Sequence, residues 1–339
     1  MKPEKGNINR LYGNIRQILE KARSNAYRAV NSAMVRAYWA IGRAIVEEEQ
    51  KGRERANYGD YLIKSISTKL GEDFGAGFDE RNLWYMKSFY LAYRKVNALR
   101  SELTWTHYRM LLRVENLCAR GFYMNECINS NWSTRELDRQ INSLLYERLD
   151  LSKNKRKIKQ MSEKGQIIVK ASDLVKDPYV LEFLGMKGDK SYLEKDIEKS
   201  LIDKLRHFIL ELGRGFSFVE RQKRITVDGD HYYVDLVFYN YILKCFVLLD
   251  LKVGKLTHQD IGQMDFYVRY FEEEVRQKTD NPTIGIVLCS EKNEAMVKYT
   301  MLKDGKRVFA SKYKLYLPKE KELKDELVRE RRMIEGKVN

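Results

Sequence analysis

Proline is absent from residues 4–177, and over most of that span apolar side chains return every three or four positions. A proline inside a helix costs about 3 kcal/mol, through its missing N–H and its clash with the preceding turn. The proline-free stretch with helical apolar spacing therefore predicts an all-α N-terminal domain over residues 8–150. The text RLYGNIRQILEKARSNAYRAVNSAMVRAYWAIGRAIVEEEQ reads as a long helix with a break near Asn25 or Ser32. A second helix fits Tyr58–Phe74. Gly75 and Gly77 then suit a turn, Asp79 an N-cap, and a third helix runs from Glu80 to about Val96. Another begins at Thr104 or Thr106, and Ser133 with Glu136 three residues on forms a capping-box pattern.

The pattern changes after residues 151–170, where seven Lys or Arg stand against one Glu. This segment reads as a basic linker that can also track a phosphate backbone. From 171 to 318 the expected order is α-β-β-β-α-β. A helix covers Tyr192–Leu212 and stops at Gly213; strands follow at 216–227, 231–240 and 244–253, with Asp228-Gly229 as a hairpin turn. A helix over His258–Gln277, the apolar strand TIGIVLCS, a helix in EKNEAMVKYTML and late strands in RVFAS and YKLYLP complete an α/β domain. Residues 319–339 form a charged tail, read as a frayed helix.

Two charged features fall inside the most apolar text of the chain. Asp235 lies in HYYVDLVFYN and Asp250-Leu251-Lys252 in KCFVLLDLKV. Carboxylates in such strands are costly unless paired or metal-bound. Two of them about 4 Å apart repel by roughly 4 kcal/mol at an effective dielectric near 20. Residues two apart on a strand share a face, so Asp250 and Lys252 point one way and Leu251 the other. If the strands pair, Asp235 joins the site. Asp235 and Asp250 can then ligate Mg²⁺ together with the Leu251 carbonyl. Lys252 can position or activate a water and stabilise charge at a reacting phosphate. Phosphodiester hydrolysis suits this set better than acyl transfer.

Composition points to the same class of substrate. Against 48 Asp+Glu stand 63 Lys+Arg, a net charge of +15, which suits a polyanion. The four cysteines are scattered without a C-x-x-C pair, and the histidines lack zinc-ligand spacing, which argues against a structural zinc. The first residues lack the apolar region of a secretory signal, and no apolar run is long enough to span a bilayer; the expected location is cytoplasmic, with no membrane partner.

The blocks KDPYVLEFLG, ELGRGFSFVERQKRI, YYVDLVFYN, CFVLLDLKVG, GQMDFYV and IGIVLCSEKN resemble the PD-(D/E)XK nuclease superfamily. With FGAGFDERNLWYMKSFY, LTWTHYRMLL and NWSTRELDRQI, nearly the whole chain resembles the bacterial YhcG-like family, in which a helical domain of unknown function precedes a nuclease domain. The resemblance implies a restriction-endonuclease-like αβββαβ core and Mg²⁺-dependent DNA cleavage, with Mn²⁺ as a substitute. It implies Asp235 and Asp250 as metal ligands and Lys252 as the catalytic lysine; Asp250 stands where many members carry Glu. It also implies a glutamate on the first helix. Glu194, Glu198 and Glu211 are the candidates, and Glu198 is favoured as catalytic group and metal ligand because it shares a face with Ile202, Leu205 and Ile209. Gln263 resembles a helix glutamine or lysine kept near the site in some members, while Tyr267 reads as packing.

DNA contacts are expected from Arg221, Lys223 and Arg224, with a charged, aggregation-resistant edge strand as the alternative reading. Glu72–Tyr90 has a helix-turn-helix outline, in which Arg81, Asn82 and Lys87 would meet DNA. The competing reading is a plain bundle with Trp84, Met86 and Phe89 in its core. A homodimer is compatible with the sequence. The alternative function is a catalytically silent nucleic-acid-binding or partner-docking subunit of a mobile-element or defence system; the intact Asp235, Asp250 and Lys252 argue against it.

Overall fold

The computed structural model describes residues 5–51, 58–75, 77–95, 99–150, 155–176, 178–186, 192–291, 307–317 and 319. The chain divides into two compact units, Met1–Leu137 and Asp138–Asn339. The helix expected in EKNEAMVKYTML and the frayed helix expected in the tail lie outside the described residues.

In the N-terminal unit, α1 (Lys5–Lys51) is continuous. The break expected near Asn25 or Ser32 does not occur: alanine-rich text without proline favours propagation, and isolated Asn or Ser residues cost only tenths of a kcal/mol each. Helices α2 (Tyr58–Phe74) and α3 (Glu80–Ala92) follow. The Asp79 side chain accepts from the Asn82 amide at 2.7 Å, capping α3 as its sequence position predicts. α3 buries Leu83, Met86 and Phe89. Trp84, a core residue in the plain-bundle reading, is instead 39 % exposed and carries Lys87 Nζ 4.3 Å above its ring. Close packing of α1 on α3 requires Gly42, since a Cβ there would collide with the Met86 carbonyl. α4 (Trp105–Leu111), α5 (Leu117–Ser130) and α6 (Thr134–Asn142) complete the helices that begin in this unit. At the start of α6, Ser133 and Glu136 make the reciprocal capping-box bonds, at 2.7 and 3.3 Å.

The C-terminal unit takes in α7 (Leu145–Asp150) and α8 (Lys155–Lys164), then a six-stranded sheet. The strands are β1 (Tyr179–Val180), β2 (Phe216–Val227), β3 (Asp230–Asn240), β4 (Cys245–Lys255), β5 (Ile284–Glu291) and β6 (Val308–Lys314), ordered β1-β6-β5-β4-β3-β2. β2, β3 and β4 form an antiparallel meander, and β4, β5 and β6 run parallel. The two late strands expected in RVFAS and YKLYLP are one, because β6 pairs without interruption from Val308 to Lys312 beside β5.

Helices cover both faces of the sheet. α9 (Glu194–Asp203) and α10 (Leu205–Leu212) supply Ile197, Leu201, Phe208 and Leu212 to a core with Leu236, Phe238, Leu249 and Leu251. α11 (His258–Tyr270) supplies Ile261, Met264, Tyr267 and Val268 to a second core with Val234, Leu248 and Val287. Burial from both sides explains the near-continuous apolar text of β4 and β5. The helix expected over 192–212 breaks at Lys204, whose ammonium donates to the Phe183 and Leu184 carbonyls at 2.8 and 3.0 Å. α11 stops short of the expected Gln277: it widens into a π turn over Phe271–Val275. α11 lies tight on β5 at Gly285, where a Cβ would come within 2.6 Å of the Met264 side chain. The Asp228-Gly229 turn takes the positive φ values, 52° and 91°, that a tight hairpin requires.

Candidate active site

The site forms where the ladder between β3 and β4 ends. Pairing runs from Asn240–Cys245 to Leu236–Leu249 and stops. One residue further are Asp235 and Asp250. There the side chain of Asp235 substitutes for a backbone partner: its Oδ2 accepts the Leu251 N–H at 2.8 Å. That bond satisfies a donor which would otherwise be orphaned, and it places a carboxylate against the middle of β4.

Asp250 is almost fully buried, at 3 % exposure. Lys252 Nζ lies 3.0 Å from Asp250 Oδ2 and 3.8 Å from Glu194 Oε2. The Asp250 contact is an ion pair, and Oδ2 has no donor besides Lys252. Burial pushes the Asp250 carboxyl up to about 7, and the Asp235 charge pushes the same way. Burial likewise raises Asp235, with the Glu198 charge adding to it and the Leu251 N–H opposing it. Burial alone would lower Lys252, yet the carboxylates of Asp250, Glu194 and Asp235 together hold its ammonium above the usual lysine range. Lys252 is therefore a cation at neutral pH.

The three helical glutamates separate cleanly. Glu198 is buried on α9 and faces β2: Arg221 Nε donates to it at 2.7 Å and Gln222 Nε2 at 2.8 Å. The same Gln222 amide donates to Asp235 Oδ1 at 3.0 Å, which ties Glu198 to the carboxylate pair. Glu194 is exposed and caps the Val253 N–H at 3.1 Å. Glu211 belongs elsewhere. Fully buried, it pairs with Arg148 at 2.5 Å and Arg139 at 3.3 Å, and it accepts the Val180 N–H at 3.0 Å. Burial alone would raise its carboxyl, but Arg148, Lys176 and Arg139 outweigh that and bring it down to about 2.

Gln263 reaches the site only through Tyr267. Its amide donates to the Tyr267 hydroxyl at 2.6 Å, and that hydroxyl donates to the Tyr233 carbonyl at 2.9 Å. Tyr267 is raised by burial and then by the Asp250 charge, which marks it as a neighbour of the carboxylates.

The basic residues are divided as well. Arg221 is spent on Glu198, and Lys223 pairs with Glu220 at 3.0 Å, while Arg224 is exposed. In the N-terminal unit Arg81 is exposed, with its guanidinium 5.9 Å from the Tyr85 ring centre. Lys87 pairs with Glu49 at 2.7 Å. The Asn82 amide bonds the Gly77 carbonyl and accepts from Trp105 Nε1 at 3.1 Å.

Gln222 is the site residue that sequence reasoning missed. In text it is one polar residue between Arg221 and Lys223, and nothing in the apolar pattern distinguishes it. Its signal is conformational: φ is +48° in the middle of a strand, a left-handed backbone that glutamine rarely adopts.

Among the described residues, no three carboxylates, imidazoles or thiols converge on one point. The donors that do gather are all oxygens: Asp235, the buried Asp250, and Glu198 joined through Gln222. This is the ligand chemistry of a hard divalent cation, and the excess of carboxylates beside Lys252 fits one.

Comparison with known proteins agrees with this architecture. Residues 172–328 match the YhcG PDDEXK nuclease domain family, and residues 14–148 match the DUF1016 N-terminal domain family. The chain is 38 % identical to the protein named "Putative nuclease YhcG" of Escherichia coli (strain K12), over 96 % of this chain and 95 % of that one. Among solved structures, a repair endonuclease from Pyrococcus abyssi aligns at 23 % identity over 39 % of this chain and 50 % of that chain, with a TM-score of 0.28, a likeness too slight to carry weight. On the two domain matches and the full-length similarity, the chain belongs to the YhcG family of proteins, with a DUF1016 N-terminal domain followed by a PDDEXK nuclease domain.

Proposed function

We propose that the protein is a divalent-metal-dependent endonuclease that hydrolyses phosphodiester bonds in DNA. One observation carries the reading: Asp235, Asp250 and Lys252 meet at the end of the β3–β4 ladder, with Asp250 buried beside the Lys252 ammonium. Asp235 and Asp250 would hold the cation, Mg²⁺ or Mn²⁺, with Glu198 as a third acid and the Leu251 carbonyl nearby. When bound, such a cation supplies charge neutralisation at the scissile phosphate and acidifies a bound water.

The chain's own groups do the rest. Lys252, held as an ammonium, stabilises the negative charge that grows on the phosphoryl oxygens and does not act as a base in that state. Tyr267 and Gln263 brace the wall of the site behind Asp250. Arg224, exposed on β2, is the favoured phosphate contact there, whereas the Lys223 and Arg221 charges are already offset by Glu220 and Glu198.

The helical domain, residues 8–150, is assigned to positioning DNA. Arg81, on the exposed side of α3, is its best contact, while Lys87 is neutralised by Glu49. One such centre hydrolyses one strand, so a homodimer is the arrangement that cuts both. The net charge of +15 favours a polyanionic substrate, and its placement on both domains suits a long one. The second reading, a silent nucleic-acid-binding or partner-docking subunit, has one point in its favour, the lack of three convergent acids among the described residues.

Incubating the purified full chain with MgCl₂ or MnCl₂ and duplex, nicked, branched and single-stranded DNA tests the proposal. Cleavage of at least one, abolished by EDTA, is expected. DNA binding without cleavage of any substrate would favour the silent subunit.

A further inference from the structure

Gln222 breaks the rule of its own strand. Its neighbours Arg221 and Lys223 pair with Leu236 and Val234 in regular register, which sets Gln222 opposite Asp235. Yet its φ is +48°. A left-handed backbone is unfavourable for a residue with a Cβ. Such a conformation persists only where its surroundings over-determine it, and it tends to mark functional sites.

What holds it is the amide. Nε2 donates to Glu198 Oε2 at 2.8 Å and to Asp235 Oδ1 at 3.0 Å. The other oxygen of each acid is already engaged, Glu198 Oε1 by Arg221 and Asp235 Oδ2 by the Leu251 N–H. The two oxygens that Gln222 occupies are therefore the ones those acids have left to offer a ligand. An amide NH₂ spans two carboxylates without carrying charge. It satisfies their lone pairs but, being uncharged, leaves their mutual repulsion uncompensated.

We propose that Gln222 is a built-in stand-in for the cation: its amide occupies the seat between Glu198 and Asp235, and a divalent ion that uses both acids must displace it. Resting on the reading of Asp235 and Glu198 as metal ligands, this adds a regulatory element to the site. The metal-free centre is held together by Gln222, and the metal concentration at which it loads is set by the bonds the amide gives up.

The test is calorimetric titration of the full chain with MnCl₂ alone, without DNA, comparing wild type with Gln222→Gly. Glycine accepts the positive φ and removes the amide. A hydrogen bond to a charged group contributes about 1.5 kcal/mol or more, so the glycine variant should bind Mn²⁺ about tenfold more tightly. Gln222→Asn, which tolerates the same backbone but is too short to bridge both acids, should also bind more tightly, and it serves if the glycine variant melts early. Tighter binding by either folded variant, including binding where wild type shows none, supports the stand-in role. Equal or weaker binding by both overturns it while leaving the metal-dependent reading intact. No binding by wild type or either variant overturns both.

Discussion

Asp235 Oδ2 accepts the Leu251 N–H at 2.8 Å, one residue beyond the last paired position of β3 and β4. The side chain that carries charge into the site thus also closes the hydrogen bonding of the sheet. These two tasks separate by mutation. Asp235→Asn keeps an acceptor for Leu251 and loses the charge; Asp235→Ala loses both. Both variants should be inactive. The alanine variant alone leaves a donor unsatisfied, at a cost of about 1–3 kcal/mol, and should melt about 2–4 °C or more below the asparagine variant. Equal melting temperatures in paired thermal scans would remove the structural half of the role.

Lys252 tests the charge logic from the other side. Its ammonium lies 3.0 Å from Asp250. Lys252→Met should lower the rate of cleavage by about 10²–10³-fold, the scale expected for loss of one preorganised charge stabiliser. Binding of Mn²⁺ should be retained or strengthened, because a competing cation is gone. Single-turnover rates and a metal titration on the same preparation check both halves.

Glu211 governs acid stability rather than chemistry. Its carboxyl sits at about 2 in the fold against 4.5 when free. A depressed carboxyl stabilises the fold above 4.5, and that contribution is lost as the pH falls through the interval down to about 2. At roughly 1.4 kcal/mol per unit, a loss on the order of 3 kcal/mol is expected. Glu211→Gln leaves Arg148 buried without its partner and should cost about 3–5 kcal/mol at neutral pH. Its stability should then vary less between pH 4.5 and 2 than that of wild type, as urea denaturation at several pH values can read.

Gly285 sets how closely α11 approaches the sheet. Gly285→Ala forces the Met264 side chain to move and should cost about 1–3 kcal/mol. A double variant with Met264→Ala should melt no lower than the sum of the single losses, because the second change opens the space the first one needs. Thermal scans of the four proteins measure this.

Much of this architecture is legible in the text, for local reasons. The Asp79 cap, the Ser133/Glu136 box and the Asp228-Gly229 turn depend on residues three or fewer positions apart, and β3 and β4 announce themselves by apolar runs. Features set at long range are not legible. The break at Lys204 follows from carbonyls about twenty residues earlier, and Glu211 finds Arg148 across 63 positions. The left-handed backbone of Gln222 follows from two carboxylates on different elements, Glu198 on α9 and Asp235 on β3. Single-residue patterns carry no trace of such partners, so the different surroundings of Glu194, Glu198 and Glu211 emerge only in the fold.

The most direct measurement is cleavage of supercoiled plasmid DNA by wild type and Asp250→Asn, with MgCl₂ or MnCl₂ and with EDTA. Asp250 is a buried carboxylate pushed up to about 7, so the amide should fold at least as stably as the acid at neutral pH. Metal-dependent nicking or linearisation by wild type is predicted, together with a loss of at least about 10³-fold in a variant that melts at or above the wild-type temperature. Undiminished cleavage by Asp250→Asn, or cleavage by wild type that persists in EDTA, would contradict the account.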